Sequence, residues 1–368
     1  MSQTGISDQL PAAVRPAVLA APAYHFTAHD AAIKLDQNES PYPLPAELTA
    51  KLAELTLASA LNRYPDIQPF RLQAELARSS DWPAAGVTVA GGSNVLIQAL
   101  IITAGIGRRV VTVKPTFSVY PLQAGLLGAE LTELPLGPGF SLPLTALKEE
   151  LARGPGGVLF IAAPAAPTGN PYSTRELQEL QEAAGDEWLF VIDEAYHEFA
   201  GSDHSELARA QGTVVLRTLS KAAGLAGLRV GYALSSPELA RQLAKAILPF
   251  SVSALQQEVA IAMLQQQELL AERIRVITSE RDRLFLQLSG LDGVEVFPSV
   301  TNFLLFRVAD AAGVYAGLLE RGVLIRRQDH LPGLNGCLRV SAGLPEENDA
   351  FVAALREVMT GQPVRSAE

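Results

Sequence analysis

The sequence predicts an α/β fold on a mostly parallel sheet, with a smaller second group of strands toward the C-terminus. Three observations carry this expectation. Short apolar runs recur between residues 87 and 235, helical segments separate several of them, and after Pro249 a long helical stretch leads to a second set of strands.

The first runs are VTVA (87–90), VVTVK (110–114), VLFIA (158–162), WLFVID (188–193), VVLRTL (214–219) and VGYALS (230–235). Short runs that are apolar almost throughout fit strands buried on both faces. Residues 94–104 and 173–184 have helical spacing, and Ser173 stands three residues before Glu176, the pattern of a capping box. Alternating strands and helices build a parallel sheet covered on both sides. The last two runs leave no room for a helix between them, so one strand is expected to run antiparallel. The stretch 253–288, rich in Gln, Glu and Arg, reads as one long helix. Beyond it lie VEVF (294–297), FLLFRV (303–308), VLIRR (323–327) and CLRVS (337–341), then a helix at 346–359. The expected organisation is an arm at 1–33, a large domain at 34–252 and a small domain at 253–368 that opens with the linking helix.

Composition narrows the function. A chain of 368 residues fits two domains, and 48% hydrophobic with 18% charged residues is ordinary for a globular protein. The net charge of −10 works against a nucleic-acid partner, which needs a positive surface. No run approaches the roughly 20 apolar residues that span a bilayer. Residues 10–24 are apolar, but Arg15 and three prolines interrupt them, and Asp8 precedes them where a leader would be basic. They read as an irregular arm packed on a neighbouring surface. The single cysteine, Cys337, makes no intrachain disulfide and suits a reducing cytoplasm.

Four segments fall where a parallel sheet presents a ligand, beyond the carboxyl ends of its strands. Gly91-Gly92-Ser93-Asn94 follows a strand and opens a helix, a setting that suits an anion, although a plain capped turn has the same sequence. Pro164–Gly169 reads PAAPTG. Asp193 ends the most apolar strand, where a buried carboxylate needs a partner such as a ring-nitrogen cation, and Tyr196 could reach a phenolate oxygen on the same ligand. Lys221 follows a strand and sits among small apolar residues, unlike a solvated surface lysine, and such a lysine can form a Schiff base. Arg229, eight residues on, has the fork to chelate a phosphate.

Together, Pro-Thr-Gly, Asp-x-x-Tyr, Ser-Lys and the later arginine resemble the fold-type-I pyridoxal-phosphate aminotransferases of class I/II. Further runs are similar to the histidinol-phosphate aminotransferase family: IKLDQNESPYPLP (33–45), LNRYPDIQPFRLQAELA (61–77), VKPTFSVY (113–120), RTLSKAAGLAGLRVGYA (217–233), SVTNFLLFR (299–307) and LIRRQDHLPGLNGCLRVSAG (324–343). The likeness covers nearly the whole chain after residue 30.

That resemblance implies a seven-stranded, mostly parallel sheet and pyridoxal 5′-phosphate as cofactor. It implies that Lys221 carries the cofactor, that Asp193 keeps its pyridine nitrogen protonated, and that Tyr196 bonds the ring hydroxyl while Phe117 stacks on the ring. Gly92, Ser93, Asn94, Ser220 and Arg229 would hold the cofactor phosphate, joined by Tyr64 of a second subunit, so the active unit would be a homodimer. Arg339, Arg326 and Asn38 would bind substrate, with L-histidinol phosphate and 2-oxoglutarate alternating. The chain departs from the family at Ala165 and Ala166, where two asparagines normally precede Pro-Thr-Gly. Aromatic-amino-acid aminotransferases and threonine-phosphate decarboxylases share the scaffold. A paralogue that binds cofactor or metabolite without turnover would fit the two alanines, but intact Lys221, Asp193, Tyr196 and Arg229 count against decay.

Overall fold

The computed structural model describes residues 13–21, 29–58 and 60–361. A first short strand, β1 (Ile33–Lys34), is followed by β2 (Val87–Ala90), β3 (Arg109–Lys114), β4 (Glu130–Pro135), β5 (Gly157–Ala162), β6 (Leu189–Asp193), β7 (Thr213–Thr218) and β8 (Gly231–Leu234). Strands β2 to β8 form one sheet in the order β2-β8-β7-β6-β5-β3-β4. Every pair is parallel except the two made by β8, which runs against both β7 and β2. The antiparallel strand expected from the close spacing of the last two runs is therefore β8.

Period-two alternation explains why these strands look uniformly apolar. Val111, Leu159, Ile161, Phe190, Ile192 and Val215 pack into one buried cluster. Val110, Val158, Phe160, Val191, Val214 and Leu216 pack into another on the opposite face. One strand of this sheet escaped the sequence reading. β4, ELTELP, is an edge strand that pairs with β3 only, and its polar residues hide it from a search for apolar runs.

The C-terminal region is α+β. It contains β9 (Glu295–Val296), β10 (Phe303–Arg307), β11 (Val323–Leu324), β12 (Arg326–Arg327) and β13 (Cys337–Ser341). Strands β12-β13-β10-β9 make an antiparallel sheet, while β11 pairs in parallel with β1. VLIRR is thus two strands that serve different sheets. Leu35, just after β1, packs with Leu304, Phe306, Leu338 and Phe351 in the cluster of this region.

Two further expectations change. The stretch 253–288 is not one helix but two, Ala254–Leu264 and Gln267–Ser289, broken at Gln265-Gln266. No glycine or proline marks the break. Val259–Leu264 pack with the large sheet, whereas Leu284 and Leu288 pack in the C-terminal cluster. The first helix keeps its Ser253–Gln256 capping box, and Ser173–Glu176 caps Thr174–Ala184 as expected. Within the apolar segment 10–24, Pro16–Ala20 is a short helix rather than irregular chain, and Arg15 Nη2 donates to the Leu126 carbonyl at 2.6 Å. Residues 10–12 and 22–24 lie outside the described residues. No helix among those described is long and apolar enough to cross a membrane.

Candidate active site

The parallel strands end side by side and deliver Ala162, Asp193 and Thr218 to one rim of the sheet. A cavity of about 430 Å³ opens there, within the range of small-molecule sites. Its lining brings together Asn38, Ser93, Asn94, Phe117, Asp193, Tyr196, Ser220, Lys221, Arg229, Arg326 and Arg339, side chains separated by as much as 301 positions in sequence (339 − 38). Ala166 lines it too, offering a methyl group, while Ala165 is buried in the core. Tyr64 does not reach it. Its ring lies 83% exposed and stacks on Phe250 at 4.8 Å.

One end of the cavity is built for an anion. The helix Ser93–Ala104 begins at the cavity wall, and Ser220 and Arg229 face it from the loop after β7. Arg229 Nη1 lies 3.4 Å from Ser220 Oγ and donates to the Ala226 carbonyl at 3.1 Å. A helix N-terminus, a hydroxyl and a guanidinium make a phosphate cup. Gly92 is required here because its φ is +102°, and a β-carbon, 2.7 Å from Arg229 Nη2, would also push that guanidinium aside.

Asp193 forms the floor. Its Oδ2 accepts from Tyr120 Oη at 2.6 Å and its Oδ1 from the Ala195 N–H at 3.1 Å. Burial pushes the carboxyl above its ordinary value, and those two donors pull it back. Tyr120 was not singled out in the sequence, although it ends the run 113–120. It is fully buried and stacks on Phe160 at 4.8 Å and 9°, and burial together with Asp193 drives its hydroxyl well above the usual tyrosine range. The signal available was the unpaired Asp193 itself, since a buried carboxylate demands donors.

Behind Asp193, Glu194 is buried against Arg217, whose Nε donates at 2.9 Å, and accepts the His204 N–H at 2.7 Å. Burial raises the Glu194 carboxyl to about 7, against the pull of Arg217.

The opposite wall comes from the C-terminal region. Arg326 and Arg339 are paired neighbours on β12 and β13, and both line the cavity. Arg339 Nη2 donates to the Asp36 carbonyl at 2.8 Å and its guanidinium lies over the Phe303 ring. Arg327 points away and pairs with Asp329 at 2.6 Å. Lys221 Nζ donates to the Gln37 carbonyl at 2.8 Å.

Residues 30–355 match the family model for aminotransferase class I and II. The chain belongs to the class I and II aminotransferases. A histidinol-phosphate aminotransferase of Deinococcus radiodurans is 47% identical over 359 residues, which is 96% of this chain and 99% of that protein. One from Chlorobaculum parvum is 36% identical over 89% of this chain and 92% of its own length. Among solved structures, histidinol-phosphate aminotransferase from Sinorhizobium meliloti in complex with pyridoxal-5′-phosphate superposes with a TM-score of 0.87. It is 25% identical, over 96% of this chain and 100% of that one. Lys221, Asp193, Ser220 and Arg229 share one cavity.

Proposed function

We propose that this aminotransferase moves an amino group between L-histidinol phosphate and 2-oxoglutarate or glutamate, using pyridoxal 5′-phosphate, as a step of histidine biosynthesis. The observation that carries the substrate is the pairing of Arg326 with Arg339, two guanidinium groups on adjacent strands facing the cavity of Lys221. Two such forks fit a phosphorylated amine and a dicarboxylate as alternating substrates. The relatives' activity agrees with that chemistry.

The residues fit the cofactor. Ser93, Asn94, Ser220 and Arg229 cup its phosphate, with Gly92 leaving room for Arg229. Asp193, whose two donors favour its charged form against burial, would stand against the ring nitrogen and hold its proton. Phe117 would cover one ring face, and Tyr196 would meet the ring hydroxyl. The cofactor, when bound, supplies an electron-accepting ring. Lys221 would anchor it, and its Nζ, when free, would move the proton at the reacting carbon.

The active unit is a homodimer. Leu61, Tyr64, Ile67 and Phe70, with Leu248 and Phe250, form an exposed apolar patch, and Phe250 N–H bonds the Ile67 carbonyl at 3.4 Å. A patch of this kind marks an interaction site, and a second copy covering it would bring Tyr64 to a neighbouring phosphate cup. We place a large cofactor-bearing domain at 34–252 and a small one at 253–368, with 1–33 as an arm and β1 crossing to the smaller core. The lone buried Cys337 suits the cytoplasm.

Borohydride reduction of the yellow holoenzyme should attach the cofactor's mass to a peptide containing Lys221, and Lys221→Ala should lose nearly all transamination. Labelling elsewhere would overturn the site. A donor panel in which histidinol phosphate is no better than phenylalanine would overturn the substrate.

A further inference from the structure

Asn38 was expected to touch substrate, yet its amide is committed elsewhere. It is 1% exposed, with φ at +53°, a conformation asparagine tolerates better than most residues. Its Nδ2 donates to Tyr196 Oη at 2.9 Å. On its other side it meets Ser341 twice. The Asn38 backbone N–H donates to Ser341 Oγ at 2.9 Å, and Ser341 Oγ donates to Asn38 Oδ1 at 3.2 Å. The segment is further held by Asn302 Nδ2 on the Asn38 carbonyl at 3.1 Å and by the Ser341 N–H on the Leu35 carbonyl at 2.9 Å.

The protons in this chain run one way. Ser341 Oγ accepts from the Asn38 backbone N–H and donates its own hydrogen to the Asn38 amide oxygen. The amide oxygen of Asn38 takes that hydrogen, so Nδ2 must face Tyr196. Tyr196 Oη, accepting from Nδ2, has its own hydrogen left for the cavity. Ala166, which also lines the cavity, has no polar side-chain atom.

We infer that Asn38, locked by Ser341, is a positioning residue that fixes the Tyr196 hydroxyl as a donor into the cavity, toward the ring oxygen of the bound cofactor. The inference rests on the cofactor reading above. The relay does not touch the reacting atoms. It sets which way one hydroxyl points, in a cavity where the side chain of residue 166 has no donor.

The test uses Asn38→Gly, which tolerates the left-handed backbone and removes the amide without adding charge, together with Ser341→Ala, Tyr196→Phe and the double variant Asn38→Gly/Tyr196→Phe. Two readouts besides activity apply: the affinity of the apoprotein for pyridoxal phosphate by fluorescence titration, and the pH midpoint of the bound cofactor's absorbance change. Losing one neutral hydrogen bond that orients the donor should weaken cofactor binding about two- to fivefold in Asn38→Gly, with a smaller loss of the same sign in Ser341→Ala. The absorbance midpoint should move to higher pH, because a ring oxygen with a poorer donor is more basic and holds its neighbouring proton more tightly. In the Tyr196→Phe background, Asn38→Gly should change neither readout. Effects of Asn38→Gly that persist in that background, or a variant that raises the KM for substrate while cofactor affinity and midpoint stay put, would overturn the inference. A wild-type chain that takes up no pyridoxal phosphate would overturn the cofactor reading and the inference with it; normal uptake by wild type and Asn38→Gly alike would overturn the inference alone.

Discussion

Tyr120→Phe isolates one atom of the site. The ring slot between Asp193 and Phe160 is kept, since the phenyl group still stacks at the same 4.8 Å spacing, and only the hydroxyl that donates to Asp193 Oδ2 at 2.6 Å is lost. Asp193 is then left with the Ala195 N–H as its sole donor of those described. A hydrogen bond to a charged, buried carboxylate is worth about 1.5–3 kcal/mol. Its loss favours the protonated acid, so the already raised Asp193 carboxyl moves further upward. A protonated Asp193 cannot balance a protonated ring nitrogen. The expected result is cofactor binding weakened by about ten- to a hundredfold near neutrality, with the low-pH fall in affinity beginning at a higher pH than in the wild type. The assay is fluorescence titration of the apoprotein with pyridoxal phosphate across a pH series, with thermal unfolding as a control for the fold. An affinity within about twofold of wild type at every pH would show that Tyr120 is only a packed ring and that Asp193 needs no second donor.

Arg326→Ala should lower kcat/KM for histidinol phosphate roughly ten- to a hundredfold, through loss of a charge-assisted contact, and far less for an unphosphorylated aromatic donor; equal losses would make Arg326 structural. Mixing equal amounts of Lys221→Ala and Tyr64→Phe subunits should regain about a quarter of the native sites, since half the dimers are mixed and half of their sites are intact; full activity of a monomer at high dilution would refute shared sites. Arg217→Leu should cost about 3–5 kcal/mol in a denaturant titration, because Glu194 stays buried without its cation. The Glu194 carboxyl, raised to about 7 in the folded chain, would then bind its proton more tightly still. Wild type and variant lose stability alike as pH rises from the ordinary carboxylate range to about 7, so the deficit should grow only above that value, where wild-type Glu194 is ionised and the variant's still holds its proton; a deficit under about 1 kcal/mol in alkaline buffer, or one flat with pH through that range, would refute it.

Local sequence determined the strands buried on both faces, because VLFIA and WLFVI leave no polar residue for a solvent side, and it determined the capped helix start at Ser173. It also pointed to Asp193 and Lys221, since each is a polar residue in a setting where water cannot serve it. What depends on distant partners was not legible. The choice between Arg326 and Arg327 turns on the register of β12 against β13, which places one guanidinium over the cavity and leaves its neighbour to Asp329. β4 owes its existence to pairing with β3 rather than to its own apolar character, and the break at Gln265-Gln266 has no local breaker. Tyr120 and Asn38 lie 73 and 158 residues from the groups they bond. Propensity and periodicity act over a few residues, whereas a hydrogen bond or an ion pair is fixed by where the fold sets down both of its ends.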